Sequence, residues 1–367
     1  MRLVGSLILL VASTIVALGL AEIGMRLLKP QVFPSTPRGL YTESPDGLRV
    51  LTPGFEGTVS RAEFHAPVRI SDFGVRGPGP EPRRENTLRI LTLGDSQTFG
   101  FGVLDHETYS VHLRDLLAAR YPERHVEVIN AGVPGYGTVD EVIWLRKRGR
   151  EVDPDLIIAQ FLSVNDFLIN RGSRLADSLL EGEGRTWGET GGGLPKVDGD
   201  APTPTGVQRE TFAARAIRLI HTIKSRSHVI TLISESASYL GMRLGLLGGV
   251  AAMWGEDFTP EDADRTRRLL VLLAREAQAM EVPVVLVYTT GKAQVIAGDG
   301  APLPSAAVMA AAAEEAGVPW IDMTRKLRVR EDRQALYFIR DGHWTATGHR
   351  AVAEVLADRL PELGLVP

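Results

Sequence analysis

Apolar positions along the 367 residues fall into contrasting patterns. Leu3 to Ala21 is an uncharged and almost wholly apolar run, close to the ~20 residues that cross a bilayer as a helix. Glu22, Arg26 and Lys29 follow, and the helix is expected to run on to Leu28, before Pro30. A run without a polar face does not suit a helix buried in a soluble core. It is expected to be an uncleaved anchor, with a cleaved signal (Ala17-Leu18-Gly19 is a poor cleavage site) as the alternative. From Leu88 the pattern changes. Short apolar runs at Leu88 to Leu93, Val126 to Ile129, Leu156 to Leu162, Val282 to Tyr288 and Val318 to Ile321 alternate with amphipathic stretches. Tyr109, Leu113, Leu116 and Leu117 share one helix face, as do Val352, Val355, Leu356 and Leu360. Apolar strands separated by helices predict a three-layer α/β/α sandwich around a mainly parallel sheet of about five strands. In such a sheet the chemistry lies at the carboxyl ends of the strands.

Between the apolar run and the first strand, residues 30–86 are rich in Pro and Gly, with short alternating pieces such as Val68-Arg69-Ile70. They read as a spacer with a few strands and no core of their own. The organisation is therefore 1–29 anchor or signal, 30–86 spacer and 87–367 main domain. An insertion from about Leu168 to Asp262 interrupts that domain. Its first half has loop composition around Gly191-Gly192-Gly193. Its second half, Ala213 to Met253, mixes apolar helix with Arg215, Arg218, Lys224 and Arg226. It is expected to pack as an extra helical pair beside the sheet; a lid over the site is the second reading.

Composition then narrows the chemistry. There is no cysteine, which removes thiol nucleophiles, disulfides and thiolate zinc sites. The net charge of −4 and the scattered basic residues exclude a nucleic-acid surface. The first strand runs into Gly94-Asp95-Ser96-Gln97-Thr98-Phe99-Gly100, where a turn can expose a serine hydroxyl and its N–H. A capping serine in a Gly-rich turn is the plainer reading, and the phosphate-loop lysine is absent. Asp105 is expected to cap the helix that follows. The second strand ends in Asn130-Ala131-Gly132-Val133-Pro134-Gly135-Tyr136-Gly137-Thr138, whose glycines suit close backbone approach. The third ends in Ser163-Val164-Asn165-Asp166, where an amide could donate to an oxyanion. Near the C-terminus stands Asp341-Gly342-His343-Trp344, an aspartate placed to hold an imidazole for general-base work.

In this order, each at a strand end or helix start, these blocks resemble the SGNH (GDSL-type) hydrolase family over roughly residues 87–360, insertion excluded. The resemblance implies Ser96 as nucleophile and a triad of Ser96, His343 and Asp341. It also implies an oxyanion hole of Ser96, Gly135 and Asn165, with no metal or organic cofactor. Gly135 is carried over because it stands five residues after Asn130, as the family glycine does. Two blocks depart from the family pattern. Ser163 replaces a glycine, and Asp341 and His343 are separated by one residue instead of two. The shorter Asp-x-His-Trp spacing is similar to a branch acting in polysaccharide O-acetylation. The implied reaction is cleavage of acyl esters, acetyl above all, on an extracytoplasmic carbohydrate. An O-acyltransferase using the same triad and a non-catalytic glycan-binding scaffold are the alternatives. The expected setting is a single-pass protein whose N-terminal helix contacts the membrane, with secretion after signal cleavage as the variant.

The remaining candidates weigh less. His349 shares a face with Val352 and Leu356 and reads as a packed histidine, not as part of an Asp341/His343/His349 metal trio. His106 and His112 read as solvated or capping residues. Asp166 reads as a helix cap, although Asp95 with Asp166 is the one carboxylate pair a glycosidase could use.

Overall fold

A computed structural model describes residues 2–44, 47–181, 227–243, 258–298 and 303–367. Helix α1 (Arg2–Leu28) ends just before Pro30, and Leu9, Leu10, Ile15, Val16, Leu18 and Leu20 along it are exposed. Among the described residues no helix is long and apolar enough to cross a membrane, so the anchoring expected for Leu3 to Ala21 is not established by the structure.

Two antiparallel hairpins follow, pairing β1 (Tyr41–Glu43) with β2 (Arg49–Leu51) and β3 (Glu56–Arg61) with β4 (Phe64–Arg69). The main sheet comprises β5 (Thr87–Leu93), β6 (His125–Asn130), β7 (Leu156–Leu162), β8 (Val284–Thr289) and β9 (Trp320–Asp322). Their order is β6-β5-β7-β8-β9 and every neighbouring pair is parallel. Strands β8 and β9 begin after Pro283 and Pro319, which have no N–H for a ladder. The chain goes first to one side of β5 and then to the other, which opens a crevice at the carboxyl ends of β5 and β7.

Alternation along each strand sorts the core into two layers. Leu88, Ile90, Leu156, Ile158, Val285 and Val287 face α3 (Tyr109–Arg120) and α12 (Ala346–Glu362). Leu91, Leu93, Ile157, Ala159, Leu286 and Tyr288 face α4 (Thr138–Val152), α8 (Pro260–Ala279) and α10 (Pro304–Ala316). Each fully buried Leu or Ile side chain stabilises by roughly 1.5–3 kcal/mol. Residues 30–86 form short strands without a separate core. Leu40, Leu48, Leu51, Val59, Val68 and Val75 enter the same layer as Leu91 and Leu93.

Within the insertion, α5 (Ser163–Arg171), α6 (Arg174–Glu181) and α7 (His228–Arg243) are described. The glycine runs, Arg215, Arg218, Lys224, Arg226 and residues 244–257 lie outside the described residues. Glu22 of α1 holds the start of α7, accepting from Ser227 Oγ (2.9 Å) and from the His228 and Val229 N–H groups (each 3.1 Å).

Candidate active site

Strand β5 delivers the chain through Gly94, where a Cβ would stand 2.1 Å from Thr98 Oγ1, so only glycine fits. The short helix α2 (Ser96–Phe99) starts at once, capped by the Asp95 carboxylate accepting from the Gln97 N–H (2.8 Å), and ends on left-handed Gly100. Ser96 is therefore the first residue of the helix, nearly buried. His343 Nε2 lies 2.8 Å from Ser96 Oγ, and His343 Nδ1 is in hydrogen-bond contact with Asp341 Oδ1. The same carboxylate oxygen accepts from the His343 backbone N–H (3.0 Å), which a spacing of two residues permits. With Nδ1–H held by the carboxylate, Nε2 is left to accept from the serine hydroxyl. Burial pushes the Asp341 pKa up, but the hydrogen bonds from His343 and the nearby Arg61 charge leave it below the usual value. The carboxylate is thus ionised at neutral pH.

The candidate oxyanion donors follow the carboxyl ends of β5, β6 and β7. The N–H groups of Ser96 and Gly135 donate to no protein acceptor among the described residues. Gly135 is exposed and left-handed (φ 82°). Asn165 stands in the first turn of α5, not on a loop tip, because the helix begins directly at Ser163. One hydrogen of its amide goes to Asp95 Oδ2 (2.8 Å), leaving the other available. Asp95, the helix cap, thereby also fixes the asparagine.

Beneath this row sits a set of buried acids. Asp166 accepts from Thr138 Oγ1 (2.7 Å) and from the Leu162 N–H (2.9 Å). Burial, and next the Asp95 charge, push its pKa up to about 8. Glu141 is raised well above the usual value by burial and then by Asp166 and Asp95. Asp95 is raised by burial as well. These acids are held as structure, fully buried behind the donors, and do not face an open cleft as glycosidase carboxylates would.

A profile of the GDSL-like lipase/acylhydrolase family matches residues 92–351. The chain belongs to that family. It is a hydrolase of the esterase/acylhydrolase type. No curated protein matches. Among solved structures the chain is similar to a lipase/acylhydrolase from Enterococcus faecalis (14% identity, TM-score 0.40, 75% of this chain and 96% of that one). It is also similar to a two-domain esterase active on acetylated mannans (16%, 0.43, 77% and 50%). A third is a mutant acetyl-xylooligosaccharide esterase from Geobacillus (15%, 0.39, 79% and 98%).

Several residues that hold this GDSL-family site carry no motif. Gln97 grips both flanks of the histidine: its Nε2 donates to the Gly342 carbonyl (3.1 Å) and its Oε1 accepts from the Trp344 N–H (3.0 Å). Glu63, at the turn of the β3–β4 hairpin, accepts from the Ile339, Arg340 and Asp341 N–H groups. Lys292 Nζ donates to the Phe338 and Ile339 carbonyls of the same loop (2.6 and 2.7 Å). Arg76, almost wholly buried, donates to the carbonyls of Phe99 (3.0 Å), Gly100 (2.7 Å) and Val103 (2.7 Å) and pairs with Asp105 (3.1 Å). That pairing corrects the expectation for Asp105. Thr108 caps α3, while Asp105 lies in a 3₁₀ turn and serves Arg76 and Arg69. In the sequence only the position of Gln97, beside the serine, hinted at a role.

His349 is fully buried, with Nδ1 accepting from the Tyr109 N–H (3.1 Å), and stacks on Tyr109. Burial holds its pKa well below the usual value. Among the described residues the one group spaced for a metal is Glu81, His125 and Glu127, which includes neither His343 nor His349. Two of its acids are engaged by Arg84 and Arg89, and it lies at the amino end of β6, across the sheet from Ser96.

Proposed function

We propose that this enzyme is a serine esterase cleaving acyl esters, acetyl in particular, on an extracytoplasmic carbohydrate. The observation that carries the reading is the 2.8 Å contact of His343 Nε2 with Ser96 Oγ, backed by Asp341 on the other ring nitrogen. Ser96 Oγ attacks the ester carbonyl as His343 takes its proton, and Asp341 supports the imidazolium. Oxygen charge developing on the carbonyl is met by the Ser96 N–H, the Gly135 N–H and the free Asn165 amide hydrogen. Losing one such donor costs roughly 2.7–4 kcal/mol of transition-state stabilisation. His343 then returns the proton to the leaving alcohol, and water activated by the same imidazole releases the acid. Ser96→Ala should lower the hydrolysis of short acyl esters and acetylated glycans by at least about 10³-fold without changing the thermal midpoint. Full activity in that variant would refute the serine mechanism. Labelling of Ser96 by a fluorophosphonate separates an enzyme from a glycan-binding scaffold.

The Asp341-Gly342-His343-Trp344 spacing favours a second reading, an O-acyltransferase in which a sugar hydroxyl replaces water in the second step. Incubation with an acetyl donor and polysaccharide decides between them, since transfer exceeding acetate release supports the transferase. We place the catalytic domain outside the membrane, tethered by α1, on the strength of the uncharged Leu3 to Ala21 run. An alkaline phosphatase fusion after Pro367 should be active, and an active cytoplasm-only reporter there would overturn that topology.

A further inference from the structure

We propose that Arg49 is a positioning residue of the oxyanion hole, acting through the Pro134–Gly135 peptide. The inference rests on the assignment of Gly135 as an oxyanion donor. Arg49 opens β2, in the Pro/Gly-rich segment ahead of the sheet and outside residues 92–351 matched by the family. Its Nη2 donates to the Pro134 carbonyl oxygen at 2.6 Å. That carbonyl and the Gly135 N–H belong to one peptide unit, and the unit is trans, so they point in opposite directions. A guanidinium on the oxygen side therefore fixes the plane that aims the N–H. It also draws electron density along the amide, which makes the N–H a stronger donor; such coupling strengthens a bond by ~10–30%.

The surroundings hold the arginine in this pose. The Tyr136 hydroxyl donates to the Arg49 carbonyl (2.6 Å), tying β2 to the loop one residue past Gly135. The guanidinium lies over the Tyr41 ring, 4.9 Å from its centre. Gly135 suits this pose: its φ of 82° favours glycine, and an added Cβ would stand 2.6 Å from Arg49 Nη2 and push the guanidinium aside. The left-handed glycine and the arginine are parts of one device. Among the described residues no carboxylate forms an ion pair with Arg49, although the buried Asp140 carboxylate lies near enough to be stabilised by its charge.

The test uses the full-length protein and p-nitrophenyl acetate, which carries no anionic group that an arginine could recognise. Arg49→Ala should lower kcat about tenfold or more, less than the roughly 10²–10³ expected when a donor is removed outright. KM should stay within about twofold, as for a contact made mainly in the transition state. Arg49→Lys, which keeps charge but not the fork, should fall between Arg49→Ala and the unchanged enzyme. Because the arginine is exposed, millimolar guanidinium should restore part of the Arg49→Ala rate and leave Ser96→Ala inactive. An unchanged kcat in Arg49→Ala overturns the inference while leaving the serine mechanism intact. So does a loss that tracks a lowered thermal midpoint and does not respond to guanidinium. A fully active Ser96→Ala removes the mechanism itself and this inference with it.

Discussion

In the sheet, the site residues are carried by strands whose side chains are buried along their whole length: β5 leads to Ser96 and β7 to Asn165. In the hairpin segment before it, the residues that reach the site do so singly, as charged side chains on a short strand (Arg49), at a hairpin turn (Glu63) and in the stretch after β4 (Arg76). Arg49 holds the Pro134 carbonyl, Glu63 holds the loop before His343, and Arg76 holds the carbonyls behind the nucleophile helix. The sheet sets the places from which the loops start. The hairpins set the shapes those loops take. One contribution is spread over many apolar contacts and tolerates modest change at any one of them. The other is concentrated in a few charge-assisted hydrogen bonds, and each can be lost in one substitution.

This contrast can be broken most sharply at Arg76. Arg76→Met roughly keeps the volume but strips the Phe99 and Val103 carbonyls of their donor, leaving the Gly100 carbonyl only the Val103 N–H and Asp105 only Arg69. The expected loss is about 3–5 kcal/mol of stability, read from denaturant unfolding. A loss no greater than that of an exposed arginine would mean the segment is packing alone.

Asp166 supplies the counterpart inside the sheet domain. Its pKa is raised to about 8, so the folded protein keeps a proton that the unfolded chain releases near pH 4. The ionisation-linked part of its burial cost therefore vanishes below about pH 4 and grows as pH rises towards 8. Asp166→Asn reproduces the protonated acid, with Nδ2 able to donate to Thr138 Oγ1 and Oδ1 to accept from Leu162. The variant should gain stability relative to the parent between pH 5 and 8, by up to about 1.4 kcal/mol per pH unit. A difference independent of pH would show that Asp166 is already ionised in the folded protein.

Glu63→Gln is the finest probe of the hairpin contribution. Glutamine keeps an acceptor but brings an N–H₂ towards three backbone donors. We expect kcat to fall about fivefold, close to 1 kcal/mol, with little change in thermal midpoint. An unchanged rate would show that Lys292 and Gln97 hold the histidine loop unaided.

The same contrast explains what could be read beforehand. The five apolar runs marked the strands because a parallel sheet buried on both faces demands them. Ser96, His343 and Asp341, which the structure joins by hydrogen bonds, stood in recognisable blocks, and Gly135 and Asn165 were proposed from such blocks, because the chemistry restricts residue type and spacing. Arg49, Glu63 and Arg76 were not legible. They act on backbone atoms far along the chain, and backbone carbonyls and N–H groups leave no mark in a sequence. Asp105 was misplaced for the same reason: beside a helix start it looked like a cap, and nothing local revealed the arginine 29 residues earlier that claims it.

The bare meeting of two loops has a last consequence. At Gly132 an added Cβ would lie 2.3 Å from the Phe99 backbone nitrogen, so the loop after β6 and helix α2 meet backbone to backbone. The one side chain that joins them, Asn130, is committed on both sides, donating to the Thr98 carbonyl (2.8 Å) and accepting from the Gly132 N–H (3.0 Å). A mutant library meant to broaden the range of accepted esters would gain nothing from this seam and would lose the fold there. Diversity has to be introduced at side chains nearer the surface, such as the partly exposed Arg61, where a replacement displaces a side chain and not the main chain.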